Sequence, residues 1–211
     1  MFYFNLTRML AIRILISILF YTVVTASDSD VKEIMEADGI VPDTVDQAPS
    51  AKIDVIYPGD LSVEVGGELT PTQVKDEPNL KWDADPGKYY VLSMVDPDAP
   101  SRENPTNREM KHWLVVNIKG GDLSTGEVIA EYRGSGPPKD SGLHRYIFLV
   151  FEQKAKQIFD EPKSPSTSSD NRRNFSIRTF AKKYNLGDPL AGNFFHAQWD
   201  PYVDERNKNS S

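Results

Sequence analysis

The chain has 211 residues, enough for one domain with a substantial core, and its tyrosine, phenylalanine and tryptophan content sets it apart from disordered chains. A net charge of −7 argues against nucleic-acid binding, which needs a basic surplus or stripe; the basic pairs Arg172-Arg173 and Lys182-Lys183 read equally well as solvated helix faces. The absence of cysteine excludes a disulfide framework, thiolate chemistry and cysteine-built zinc sites.

Residues 1–26 read as a secretory signal peptide. Arg8 and Arg13 precede the apolar run Ile14 to Val24, and Ala26 offers a small residue for cleavage. The run falls short of the ~20 apolar residues of a membrane span, so a signal anchor is the lesser reading. Cleavage removes two arginines and no acid, taking the charge from −7 to −9. Residues 27–50 form an N-terminal segment with a short helix over Ser27 to Asp38, capped by Ser29 or Asp30, carrying Val31, Ile34 and Met35 on one face and closed by Gly39 and Pro42. The domain proper covers 51–203, and 204–211 is a polar tail.

Within the domain, Ala51 to Tyr57 and Leu61 to Val65 alternate as strands around the turn Pro58-Gly59-Asp60 and pair as a hairpin. Leu69 to Val74 is extended, since prolines there forbid a helix, and Leu80 to Trp82 is a short buried segment. Tyr89 to Val95, Lys111 to Ile118 and His144 to Phe151 are apolar on both faces, as central strands are; Glu127 to Tyr132 is a shorter strand. Lys163 to Asp170 is a polar loop. Asn174 caps a helix running through Tyr184, ended by Gly187 and Pro189. Many short strands, one late helix and no alternation of strand and helix predict a mainly β domain, mostly antiparallel, with peripheral helices. Asn174-Phe175-Ser176 and Asn209-Ser210-Ser211 match the glycosylation sequon, a weak signal.

Two loops carry the candidate chemistry. The strand ending at Val95 runs into Asp96-Pro97-Asp98-Ala99-Pro100-Ser101-Arg102. Gly134-Ser135-Gly136-Pro137-Pro138-Lys139 leads to Gly142-Leu143-His144-Arg145-Tyr146. The glycines free this second loop and the prolines stiffen it, so it delivers a histidine and a tyrosine at the mouth of a core strand. A carboxylate beside a histidine fixes its tautomer and favours its charged form. Asp96, His112 and His144, with a tyrosine hydroxyl and glycine N–H groups, would make a site for a small anion such as a phosphate monoester. Three other readings stand beside this one. Two histidines and a carboxylate also suit iron or zinc. Ser93, Ser101, Ser135 or Ser141 could serve a hydrolase, although none lies in a Gly-x-Ser-x-Gly elbow. The cluster could also be a core without a ligand.

These motifs, with Leu69-Thr70-Pro71-Thr72-Gln73-Val74, Ala191-Gly192, Trp199-Asp200 and Tyr202, resemble the phosphatidylethanolamine-binding protein family, secreted insect and nematode members especially. The likeness runs from about Ile53 to Tyr202. It implies a large antiparallel sheet packed on a smaller sheet with helices at the edge, and a cis Ala99–Pro100 bond. By position it implies ligand-binding roles for Asp96, Pro100, His112, Gly134, Gly136, Pro137, His144, Tyr146 and Tyr202. Two departures follow: Met110 stands where the family often has tryptophan, and the polar tail leaves no stable C-terminal lid.

The expectation is a secreted, monomeric binding protein for a phosphate-type headgroup, phosphoethanolamine above all. It is not expected to be an enzyme or to use a metal or cofactor; its expected partner is a phospholipid headgroup or small anion, and peripheral membrane contact is possible. The alternatives are a serine-protease inhibitor, with a protease as partner, and an extracellular carrier of small odorant-type ligands. If one of the two histidines is charged between Asp96 and the ligand, binding should tighten at mildly acidic pH.

Overall fold

The computed structural model describes residues 28–209, so the signal peptide and Ser210-Ser211 of the last sequon fall outside the described residues. Helix α1 spans Asp28–Ala37, and Gly39 turns the chain through a left-handed conformation into the short α2, Ile40–Asp43. The strands are β1 (Ala51–Lys52), β2 (Asp54–Tyr57), β3 (Leu61–Ser62), β4 (Gly67–Glu68), β5 (Asn79–Lys81), β6 (Tyr89–Asp96), β7 (Met110–Lys119), β8 (Glu127–Ala130) and β9 (His144–Gln153). Helix α3 (Ile177–Lys183), strand β10 (Ala191–Ala197) and helix α4 (Pro201–Asn209) complete the domain.

The large sheet runs β1-β10-β9-β6-β7-β8, with β4 also on β10; the small sheet runs β3-β2-β5. The large sheet is antiparallel from β10 to β8, and only the two-residue strands β1 and β4 join it in parallel. Its central strands are buried on both faces, and alternation sorts their side chains. Ile147, Leu149 and Phe151 of β9 meet α1 and α3 through Met35, Ile177 and Phe180; Tyr146, Phe148 and Val150 face the small sheet through Val55 and Tyr57. The layers are therefore small sheet, large sheet, helices. Among the described residues no helix is long and apolar enough to cross a membrane.

Five local expectations need correction. Ala51 to Tyr57 is not one strand: it divides at Ile53, where the Asn193 side chain donates to the carbonyls of Ile53 and Val63 and holds the two sheets together. Only Leu61–Ser62 of the expected second strand pairs with β2. Leu69 to Val74 is largely a turn, since the N–H groups of Gln73 and Val74 both donate to Thr70 O and Pro71 takes the position where its fixed φ suits a turn. The cap of α3 is Ser176, whose side chain accepts from Thr179 N–H; Asn174 has φ +57°, outside the extended region a capping residue occupies. Lastly, the polar tail belongs to α4. Asp200 accepts from Tyr202 N–H and Pro201 opens the first turn, so an N-cap and a pre-set φ start a helix with almost no apolar face.

Candidate functional site

Strand pairing brings the candidate residues together. Strand β6 ends at Asp96, while its antiparallel neighbours β7 and β9 begin at Met110 and His144, so all three termini share one end of the sheet. The pairing of β6 with β7 steps from Met94–Trp113 to Val95–Lys111, leaving His112 as the extra residue of a bulge. Strict alternation would point His112 with Leu114 toward the helices; the bulge instead sets its ring edge-on to Tyr146, with centroids 5.1 Å apart.

A cavity of about 450 Å³ opens here, lined by Asp96, Pro100, His112, Gly136, His144 and Tyr146 of the expected set. The Ala99–Pro100 bond beside it is cis, as the resemblance implies. Three expected residues do not line it. Gly134 and Tyr202 line an adjoining cleft that shares Arg133 and Arg206 with the cavity, and Pro137 is buried within the loop, leaving Pro138 at the wall. Met110 lines the cavity, as do Arg133, Arg173 and Arg206, which sequence reasoning left out. Arg206 comes from α4, and its Nη1 donates to the carbonyls of Gly134 (2.9 Å) and Ser135 (3.0 Å). The C-terminal segment therefore does close on the pocket.

The floor is a chain of hydrogen bonds. Asp96 Oδ1 accepts from Asp98 N–H at 2.7 Å, and Oδ2 lies 2.9 Å from His144 Nδ1. Burial pushes the Asp96 carboxyl up, against the pull of His144. His144 Nε2 lies 3.0 Å from Ser141 Oγ. The hydroxyl also donates to Pro138 O at 2.7 Å. Asp96, His144 and Ser141 are thus ordered in space like a hydrolase triad, with the serine hydroxyl directed to the Pro138 carbonyl.

The second histidine behaves otherwise than the charge argument expected. His112 Nδ1 donates to Arg133 O at 2.7 Å. Burial lowers its pKa to about 3, and the nearby Arg172, Arg206 and Arg133 push the same way, so the ring is neutral with Nε2 as an acceptor. Tyr146 is buried and keeps its proton, its pKa raised by burial first and by Asp96 second; its oxygen accepts from Gly136 N–H at 3.3 Å. An imidazolium facing the ligand therefore cannot be His112, and both ring nitrogens of His144 are engaged, by Asp96 and by Ser141. Lys111 and the three arginines bring cationic side chains to the lining.

A separate network behind the floor fixes the loop. Arg145, pointing to the helix face, donates from Nη2 to Asp98 Oδ1 (2.6 Å) and from Nε to Oδ2 (2.8 Å), and also reaches Asp43. Burial would raise the Asp98 carboxyl, but Arg145 brings it below the ordinary range. The third histidine, His196, bonds Asp38 and Gly66 O and ties α1 to β10, outside the cavity lining. Among the described residues no group of three or more histidine, aspartate or glutamate side chains could hold a metal ion.

Comparison with known proteins agrees with this architecture. A family model described as phosphatidylethanolamine-binding protein matches residues 59–195. A relative described as putative odorant-binding protein A5 of Drosophila melanogaster is 43% identical over 179 residues, covering 85% of each chain. The solution structure of CG7054 is 50% identical, with a TM-score of 0.68 over 82% of this chain and 99% of that one. A carboxypeptidase Y inhibitor, crystallised with its cognate proteinase, reaches a TM-score of 0.70 over 84% of this chain and 98% of its own; at 24% identity the likeness speaks to the fold alone.

Proposed function

The chain belongs to the phosphatidylethanolamine-binding protein family, and from that premise we propose that it is an extracellular binding protein whose cavity receives a phosphate-type anion, such as the phosphoethanolamine headgroup of a phospholipid. Asp96, Pro100, His112, Gly136, His144 and Tyr146 would form the ligand site. The observation that carries this reading is the gathering of buried hydrogen-bonding groups and three arginines at one concave sheet end, in a chain whose net charge is negative. Tyr146 would donate its hydroxyl to the anion, and the neutral His112 Nε2 would accept from a ligand hydroxyl. Asp96 would act indirectly, holding His144.

Calorimetric titration with O-phosphoethanolamine tests this. Tyr146→Phe removes one donor, and His144→Ala removes the floor that positions the loop. Each should weaken binding about tenfold, the worth of one hydrogen bond to a charged group. Unchanged affinity in both variants would place the anion elsewhere.

The description of the 43%-identical relative supports a second reading, a carrier of small odorant-type ligands. The same cavity would serve it, with Met110 as an apolar contact at the wall. Native mass spectrometry of protein secreted into culture medium separates the two: a retained phosphate ester supports the first, a retained uncharged volatile the second.

A further inference from the structure

We propose that Asn174 carries an N-linked glycan at the rim of the cavity, and that this glycan restricts the pocket to ligands in solution, holding it off headgroups embedded in a bilayer. It rests on the extracellular and pocket readings above and narrows where the ligand comes from. Asn174-Phe175-Ser176 has the acceptor spacing, with no proline between its two polar residues. The modification joins Asn174 Nδ2 to C1 of the first N-acetylglucosamine. A lipid-linked oligosaccharide diphosphate supplies the sugar: its C1–O bond breaks, the lipid diphosphate leaves, and the amide nitrogen gives up one proton.

Placement turns a short motif into a site. Asn174 is exposed, and its side-chain amide makes no hydrogen bond to any described residue. Backbone needs involve both polar residues of the motif without using that amide. Asn174 has φ +57°, a left-handed conformation that asparagine tolerates better than most side chains. Ser176 caps α3. The conformation does not by itself bring the motif with it: Asn117, Asn171 and Asn185 are also left-handed, and two residues beyond them stand Lys119, Arg173 and Gly187.

The attachment point is fixed beside the cavity. Asn174 N–H donates to Asn107 O at 3.2 Å, Phe175 N–H to Glu109 O at 3.0 Å, and Glu109 N–H returns to Phe175 O at 2.7 Å. Lys111 N–H donates to Arg172 O at 2.8 Å. This ladder lays residues 172–175 along residues 107–111, and Asn107, Lys111 and Arg173 line the cavity. Asn174 is therefore next in sequence to one lining residue and hydrogen-bonded to another. A bulky, hydrated chain anchored there lets a small ester diffuse past it to the pocket. A bilayer has to press against the sugars, and stripping water from their hydroxyls without new partners costs free energy.

The test begins with the full chain expressed in eukaryotic cells, with medium and membranes assayed separately. Peptide mapping by mass spectrometry should find a glycan on Asn174, read apart from the sequon at Asn209. Two variants remove the acceptor by different routes: Asn174→Asp leaves the residue that enzymatic release leaves, and Ser176→Asn breaks the motif while keeping a side chain that can cap α3. O-phosphoethanolamine, titrated by calorimetry, should bind all forms equally. Vesicles of phosphatidylcholine containing phosphatidylethanolamine should be ignored by the glycosylated chain and bound by both variants. An unmodified Asn174 in protein recovered from the medium would overturn the proposal and leave the extracellular and pocket readings standing. Vesicle binding that is the same with and without the glycan would overturn the restriction it is proposed to impose. Retention of the whole chain in membranes would overturn the extracellular reading. Failure of every form to bind O-phosphoethanolamine would overturn the pocket reading, while occupancy of Asn174 is read independently by mass.

Discussion

Gly136 makes room for Arg206, and this can be tested by a double-mutant cycle. A Cβ built on Gly136 would lie 1.8 Å from Arg206 Nη2 and 2.5 Å from its Cζ. Those atoms are the far end of a flexible side chain, so Gly136→Ala should be accommodated by Arg206 swinging out. The loss is the pair of hydrogen bonds to Gly134 O and Ser135 O. Bonds from charged donors are worth roughly 1.5–3 kcal/mol each, but Arg206 is only half-buried and water recovers part of that. A net cost of about 1–2 kcal/mol is expected, or a fall in Tm of roughly 2–8 °C for a domain of this size. Arg206→Ala removes the same bonds and should cost a similar amount. With Arg206 gone, Gly136→Ala should then cost about nothing, and reduced freedom of the unfolded chain could return ~0.4–1 kcal/mol. The measurement is urea denaturation of both single variants and the double variant. The coupling energy should be about as large as either single cost. Additive costs would mean that Gly136 is needed for its own backbone and that its fit to Arg206 is incidental.

Gly134, two residues earlier, should behave differently, because its added Cβ would meet backbone: Val74 O at 2.5 Å and Lys75 Cα at 3.1 Å. Val74 O also accepts from the Tyr132 hydroxyl, so Gly134→Ala should cost at least the ~1–3 kcal/mol of overpacking and visibly more than Gly136→Ala in the same urea assay. Glu109 is buried against α3, accepts from Ile177 N–H, and has its pKa raised to about 7, chiefly by burial. The folded state thus holds a proton that the unfolded state releases near pH 4.5, so stability should fall by roughly 3 kcal/mol as pH rises from about 4.5 to 7, and a pH series of Glu109→Gln should lack that slope. Asp98→Asn strips the buried Arg145 of its principal counter-charge and should cost about 3–5 kcal/mol by denaturation; a loss under ~1 kcal/mol would show that Asp43 alone suffices.

What was legible in the sequence follows from how much of each element's structure is local. Strands β6, β7 and β9 are runs of strand formers buried on both faces, so composition and pattern agree. Strand β10 is different: Ala191-Gly192-Asn193 has little strand propensity, and the segment is a strand because β9 lies on one side of it and β1 and β4 on the other. Helix α4 carries one deeply buried apolar residue, Val203, so the period of its polar residues says nothing. Its signal was there in another form, in the pair Asp200-Pro201, which supplies the cap and the first turn.

The site divides along the same line. Asp96, His112, His144 and Tyr146 stood out because histidine is scarce, with three in the chain, and because each flanks a rigid proline or glycine loop at a strand end. Even so, the sequence could not show that His112 is neutral. Whether an imidazole is protonated depends on its hydrogen-bond partners and on burial, and the Arg133 carbonyl that His112 meets is placed by the bulge in β7. Arginine is common and was therefore invisible: Arg173 read as part of a solvated pair, Arg206 as part of a tail, and Arg133 as nothing at all. Yet those three, with Lys111, are the cationic side chains of the cavity lining. The parts of this site that are rare in the sequence shape its floor, and common residues supply its cations.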